Sequence, residues 1–251
     1  MSSDLPPIPP EPPVPGGFGP TLLPPPPPPP FDGTVPLPPE TPAALPWEQP
    51  GYPFLEGLYE TAKLFLTDPT AAFSRMQVGG ELGRPLVYAI IFGWLGTIAG
   101  QVYNIALGGA MWKLLPQFSQ EGDFASNTLI NVGFMVVAPL LILVGIFVGG
   151  AIYHLFLMLY GGANAGFGAT VRVLCYASTV QVLQVLPLCG GIIGAVWGIV
   201  LQIVGLAIAH RTTRGKAAAA ILTPMLLCCV CLMVLGVVFF ASIAAMLGKM
   251  R

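Results

Sequence analysis

Long apolar stretches separated by sparse charges dominate the chain after Arg84. Arg84 to Lys113 encloses 28 uncharged residues, Asp123 to Arg172 encloses 48, Arg172 to Arg211 encloses 38, and Lys216 to Lys249 encloses 32. One membrane crossing needs about 20 apolar residues. The first interval predicts a helix near Leu86–Leu107. The second predicts a long helix near Leu129–Tyr160 and then a small-residue loop, with Pro139 as its kink or dividing point. The third has room for two crossings, near Val173–Leu186 and Gly191–Ala209, turned at Pro187, Gly190 and Gly191. The fourth predicts a helix near Ala218–Leu247. The expected fold class is all-α: a polytopic helical membrane bundle of five transmembrane helices over residues 85–251, or six if Pro139 divides the second.

Ahead of these, Phe54, Leu55, Leu58, Tyr59, Ala62, Phe65 and Leu66 follow helical spacing, with Glu56, Glu60 and Lys63 on the other side. Residues 54–84 therefore read as an amphipathic helix in the headgroup plane and a pre-membrane segment, the helix ending at Asp68-Pro69. The alternative is an amphipathic helix packed on the protein's own loops.

Composition separates a tail from this body. Of the 28 prolines, 22 fall in residues 1–53, with an unbroken run from Pro24 to Pro30. Proline removes backbone donors and disfavours helix at the preceding residue, so the tail is expected to be disordered, with a polyproline II rod in the run. Such segments dock on aromatic grooves of recognition domains, with Phe18, Phe31 and Trp47 as added anchors. The plainer reading is a spacer. No early apolar run follows a basic start, so no cleavable leader is expected.

Charge sets orientation and excludes some partners. Only 8% of residues are charged and the net charge is −1, so no nucleic-acid surface is expected. With the N-terminus in the cytoplasm and five crossings, the inner side carries Lys63, Arg75, Arg84, Arg172, Arg211, Arg214 and Lys216; the outer side carries Lys113, Lys249 and Arg251. That asymmetry favours a cytoplasmic N-terminus. The C-terminal pair pulls mildly the other way. Arg211, Arg214 and Lys216 also form a short basic loop suited to anionic lipid headgroups, although topology alone accounts for it.

Small residues mark packing faces. Gly190, Gly194 and Gly198 recur every fourth position, as do Gly96 and Gly100, and Gly145 and Gly149. Such faces bring helices close in lipid and serve internal packing or a homo-oligomer equally well. Gln101, Asn104, His154, Gln181, Gln184 and Gln202 lie within or near the spans and need partners there.

Catalytic chemistry is sparse. No Asp or Glu follows Asp123, so paired-carboxylate hydrolysis and carboxylate-bound metal have no place in the later helices. His154 without an acid partner reads as a hydrogen-bonded structural residue, and His210 as a headgroup-level residue at a helix end. Cys228, Cys229 and Cys231 contain a C-x-x-C spacing inside an apolar helix, where thiols behave as small hydrophobes. No cofactor, metal site or catalytic residue is expected.

Two segments carry a family resemblance. "LFLTDPTAAFSRM" (Leu64–Met76) resembles the pre-membrane segment of the Yip1-domain family. His154–Leu222 is the stronger match: a histidine-led helix end, a glycine-bearing loop, an arginine, "YAS", a Pro-x-x-Gly hairpin, a Trp-bearing glycine helix, then "HRTTRGKA". The resemblance covers roughly residues 54–245 and is closer to the bacterial branch. It implies five spans and a cytoplasmic N-terminus, and it carries no catalytic motif. Tyr176, Pro187, Gly190, Gly191, Trp197, Gly198 and Gly205 match the pattern and read as fold determinants. Eukaryotic members are linked to Rab GTPases and traffic between ER and Golgi; bacterial members offer no activity to carry over.

The expectation is a non-enzymatic scaffold or adaptor in the bacterial inner membrane, or in ER and Golgi membranes of a eukaryote. Its partners are membrane lipids, a protein docked on the proline-rich tail, and further copies of itself. The alternative is a channel, lipid-handling protein or small-solute transporter with a polar intramembrane cavity.

Overall fold

The computed structural model describes residues 44–114, 123–187 and 189–249. Residues 1–43, with Phe18, Phe31 and the proline run, lie outside them. A 3-10 turn at Pro46–Glu48 precedes α1 (Phe54–Thr67), α2 (Pro69–Arg75), α3 (Gly83–Leu114), α4 (Asp123–Leu159), α5 (Gly166–Ala177), a 3-10 segment (Ser178–Val185), α6 (Gly190–Ala209) and α7 (Arg214–Lys249). Among the described residues four helices are long and apolar enough to cross a membrane: Gly83–Ala106, Thr128–Leu159, Gly190–Ala209 and Arg214–Ile243.

The structure closes one alternative, the divided second helix, and differs from the sequence expectation in two places. Pro139 lies inside one continuous 37-residue helix, so the second interval is not split. Proline is tolerated in a membrane helix because neighbours and local adjustment satisfy the freed backbone groups. The helix expected at Val173–Leu186 instead starts at Gly166 and tightens into 3-10 geometry after Ala177. Ser178 Oγ donates to the Cys175 carbonyl and Thr179 Oγ1 to that of Tyr176, local bonds that compete with the α-helical ladder. Finally, the packed body begins before residue 53. Leu45 is fully buried, Trp47 and Glu48 nearly so.

α1 lays Gly57, Thr61, Ala62 and Phe65 on the bundle while Phe54, Leu55 and Tyr59 stay exposed. Asp68 ends it and caps α2, accepting from Ala71 N at 3.0 Å. α2 presses Phe73 onto α6, where a Cβ at Gly205 would come within 2.6 Å of Phe73 and Val173. An aromatic cluster joins these pieces: Phe65 stacks on Tyr176 at 5.3 Å, and Tyr88 touches Tyr176, Phe92 and Trp47.

α6 packs on the 3-10 segment through its glycine face. A Cβ at Gly190 would lie 2.0 Å from the Leu183 carbonyl oxygen, and one at Gly194 3.2 Å from that of Val180. A Cβ at Gly198 would lie 3.4 Å from the Val180 side chain. On α3, a Cβ at Gly96 would lie 2.8 Å from Gln181 and one at Gly100 3.4 Å from Gln184. Among its described residues α7 buries only Ala217, Ala220 and Ile221; Leu226 to Phe240 is a broad exposed apolar surface suited to lipid.

Candidate functional site

Three polar constructions are built into this apolar frame. The first seats the N-terminal segment on the bundle. Glu48 Oε1 lies 3.5 Å from Arg172 Nη1, with side-chain exposures of 4% and 3%. Tyr176 donates its hydroxyl to Glu48 Oε1 at 2.8 Å, and the Gln77 amide donates to Oε2 at 2.9 Å. Arg172 donates onward to the Glu81 carbonyl. Trp47 is tied as firmly: its amide donates to Thr61 Oγ1, and its indole donates to the Arg84 carbonyl at 2.8 Å. Arg84 donates back to the carbonyls of Trp47 and Gln49. Trp47 is thus committed to the protein's own body and is not an open anchor for a partner. Arg172 is not a loop charge but the inner half of a buried ion pair.

The second construction joins the α4–α5 and α6–α7 connections. His210 caps the end of α6 and is fully buried there. Its Nδ1 accepts from the Ala165 amide at 3.1 Å, so the neutral ring carries its proton on Nε2 and donates to Thr170 Oγ1 at 2.9 Å. Thr170 then donates to His154 Nδ1 at 2.9 Å. Burial, reinforced by neighbouring His154, pushes the His210 pKa down to about 4. Both flanking helices end the same way. Gly162 N donates to Leu157 O and Thr212 N to Ala207 O, closing paired caps at left-handed Gly161 and Arg211. Lys216 Nζ bridges them by donating to Gly161 O at 3.1 Å; Arg211 and Arg214 stay exposed beside it.

The third is a cavity of about 340 Å³ between α3, α4, α5 with its 3-10 continuation, and α6. Gly145, Gly149, Gln181 and Gln202 line it, with Thr97, Tyr153 and Ser178. Gln202 Oε1 is buried without a hydrogen-bond partner among the described residues. Gln184 donates to Gln181, and Asn131 reaches Asn104 at 3.4 Å. Tyr103 donates to the Val185 carbonyl beyond them. Gln101 is half-buried on α3, Trp197 is half-buried on α6, and Pro187 is exposed in the turn before α6.

A family model for the Yip1 domain matches residues 63–247 of the chain. The protein belongs to the Yip1 family. It is an integral membrane protein of Yip1 type, with its ion pair, histidine chain and cavity all involving residues of the matched region. No curated protein and no solved structure matches the chain. Among the described residues of this Yip1-domain protein, no group of three or more His, Cys, Asp or Glu is placed to hold a metal ion. Cys175 is buried; Cys189, Cys228, Cys229 and Cys231 are exposed; all five are free thiols.

Proposed function

We propose that this Yip1-family protein is a non-enzymatic membrane scaffold whose N-terminal proline-rich arm docks cytoplasmic partners and continues into a seat fixed on the bundle. The observation that carries this reading is the Glu48–Arg172–Tyr176 cluster. It fixes the chain a few residues after the arm, while α1 and α2 cover the same end of the bundle. An arm tethered at a rigid point keeps its reach and effective concentration at the membrane surface. The exposed Phe54, Leu55 and Tyr59 give α1 an apolar edge for the headgroup plane.

The accompanying topology has five crossings and a cytoplasmic N-terminus. The ends of α4 and α6 lie side by side at Gly161, Gly162, Thr212 and Lys216. The chain between Leu159 and Gly190 therefore has to return across the bundle. Residues 166–185 supply the length, with about 18 Å of α-helix and roughly 16 Å of 3-10 helix. With Arg172 set aside as an internal ion pair, six cations against three still favour a cytoplasmic N-terminus. Arg211, Arg214 and Lys216 then meet the inner leaflet. The host membrane is the bacterial inner membrane, or ER and Golgi membranes in a eukaryote.

The test is in-cell crosslinking with mass spectrometry, comparing the full chain with a deletion of residues 1–43, which spares the seat. Proteins captured reproducibly only with the arm present support the adaptor. Identical capture from both demotes the arm to a spacer. The 340 Å³ cavity favours a second reading, a lipid-handling or small-solute protein.

A further inference from the structure

We propose that the cavity beside Gln202 binds the head of a neutral lipid carrying a free hydroxyl, of the diacylglycerol class. The inference deepens the lipid-handling reading and does not depend on the N-terminal arm. It starts from Gln202 Oε1, an acceptor buried without a partner among the described residues. Such an atom costs stability unless a donor reaches it. No donor lining the cavity reaches this oxygen. Thr97 donates to the Gly93 carbonyl, Ser178 to that of Cys175, and Gln184 holds the Gln181 amide oxygen. An occupant that brings a donor satisfies it.

The lining decides the class. Apart from the phenol of Tyr153, no ionisable side chain lines the cavity. A phosphate or ammonium group there would be desolvated without a counter-charge. A hydroxyl suits the site because it both donates and accepts: it serves Gln202 whichever way the amide is turned. Depth agrees. Gln202 lies seven residues before the end of α6, about 10 Å into the span. A neutral head enters that depth at far lower cost than a charged one.

Access and size fit as well. The volume of about 340 Å³ is at the small end of ligand pockets, enough for a glycerol head and its first carbons. The acyl chains have a way out past Gly145 on α4, which is exposed and whose added Cβ would meet nothing within 4 Å. The small residues of α4 here leave an opening toward lipid where bulkier ones would close it.

The experiment uses the full chain in phosphatidylcholine vesicles with a trace of diacylglycerol bearing a photoactivatable diazirine near the glycerol. Expected labelling falls on peptides containing Gly145 and Gln202. Unlabelled diolein competes; triolein, whose hydroxyl is acylated, does not. Gln202→Leu lowers the yield three- to tenfold, the loss of about one hydrogen bond. Gly145→Phe, placed where nothing crowds it, blocks labelling by filling the opening. Both variants are checked for unchanged unfolding midpoints or higher ones. Uniform labelling of every lipid-facing helix, equal competition by triolein, or full labelling of Gln202→Leu in a folded protein each overturns the proposal and leaves a water-filled cavity. Solute or lipid flux is scored separately, so a bound lipid without transport refutes the transport reading alone.

Discussion

The carboxylate of Glu48 and the guanidinium of Arg172 lie 3.5 Å apart, and both side chains are almost wholly buried. Breaking one half of such a pair leaves an unpaired charge in an apolar setting, at a cost of about 3–5 kcal/mol. Glu48→Ala and Arg172→Ala should each lower the unfolding midpoint in detergent sharply. Replacing both with Met and Leu should restore much of the loss, because no charge is then stranded. Tyr176→Phe should cost about 1.5–3 kcal/mol, the single hydroxyl bond to the charged Glu48 carboxylate.

Stability should fall as pH drops through the range set by His210. Its folded pKa is pushed down to about 4, below the ordinary imidazole value of 6.5. The unfolded chain therefore binds a proton first. The contribution is complete above about pH 6.5 and is lost by about pH 4, amounting to roughly 3 kcal/mol. Protonation at Nδ1 would also break the bond from Ala165. Unfolding midpoints measured from pH 7 to 4 should fall more steeply in the wild type than in His210→Gln. Parallel slopes would contradict the assignment.

The glycine faces should not respond alike. Gly190→Ala sets a Cβ 2.0 Å from the Leu183 carbonyl oxygen, so backbone has to move. A loss of about 1–3 kcal/mol is expected, as for overpacking. Gly145→Ala meets nothing and gains helix propensity, so its midpoint should hold or rise. The two variants compared side by side separate a close helix contact from a cavity wall.

Arg211 adopts φ 49° at the end of α6, where Gly161 holds the equivalent place after α4. A side-chain-bearing residue pays about 1 kcal/mol for that left-handed conformation. Arg211→Gly should therefore raise the unfolding midpoint slightly, unless the basic side chain also binds lipid. Repeating the comparison with and without anionic lipid separates the two effects.

The long helices were legible because hydropathy and charge are local. α3, α4, α6 and α7 occupy the four uncharged intervals. The break after Ala177 was less legible, since it depends on Ser178 and Thr179 turning to backbone carbonyls and on Gly190 admitting Leu183. Glu48 was hidden by its neighbours: in a proline-rich stretch it reads as tail. Arg172 read as a flank because it separates two apolar runs. A signal was nevertheless present. Arg172 is the lone charge between Asp123 and Arg211, and no acid follows Asp123, so an internal partner had to come from upstream. His210 could not be placed from sequence, because its burial arises where two connections meet.

The central claim is that the seated arm docks cytoplasmic partners. In-cell crosslinking with mass spectrometry on the full chain, the 1–43 deletion and a folded Glu48→Gln variant tests it most directly. The account predicts a set of cytoplasmic partners present with the full chain, absent after deletion, and reduced when the seat is loosened. The same capture from all three would contradict it.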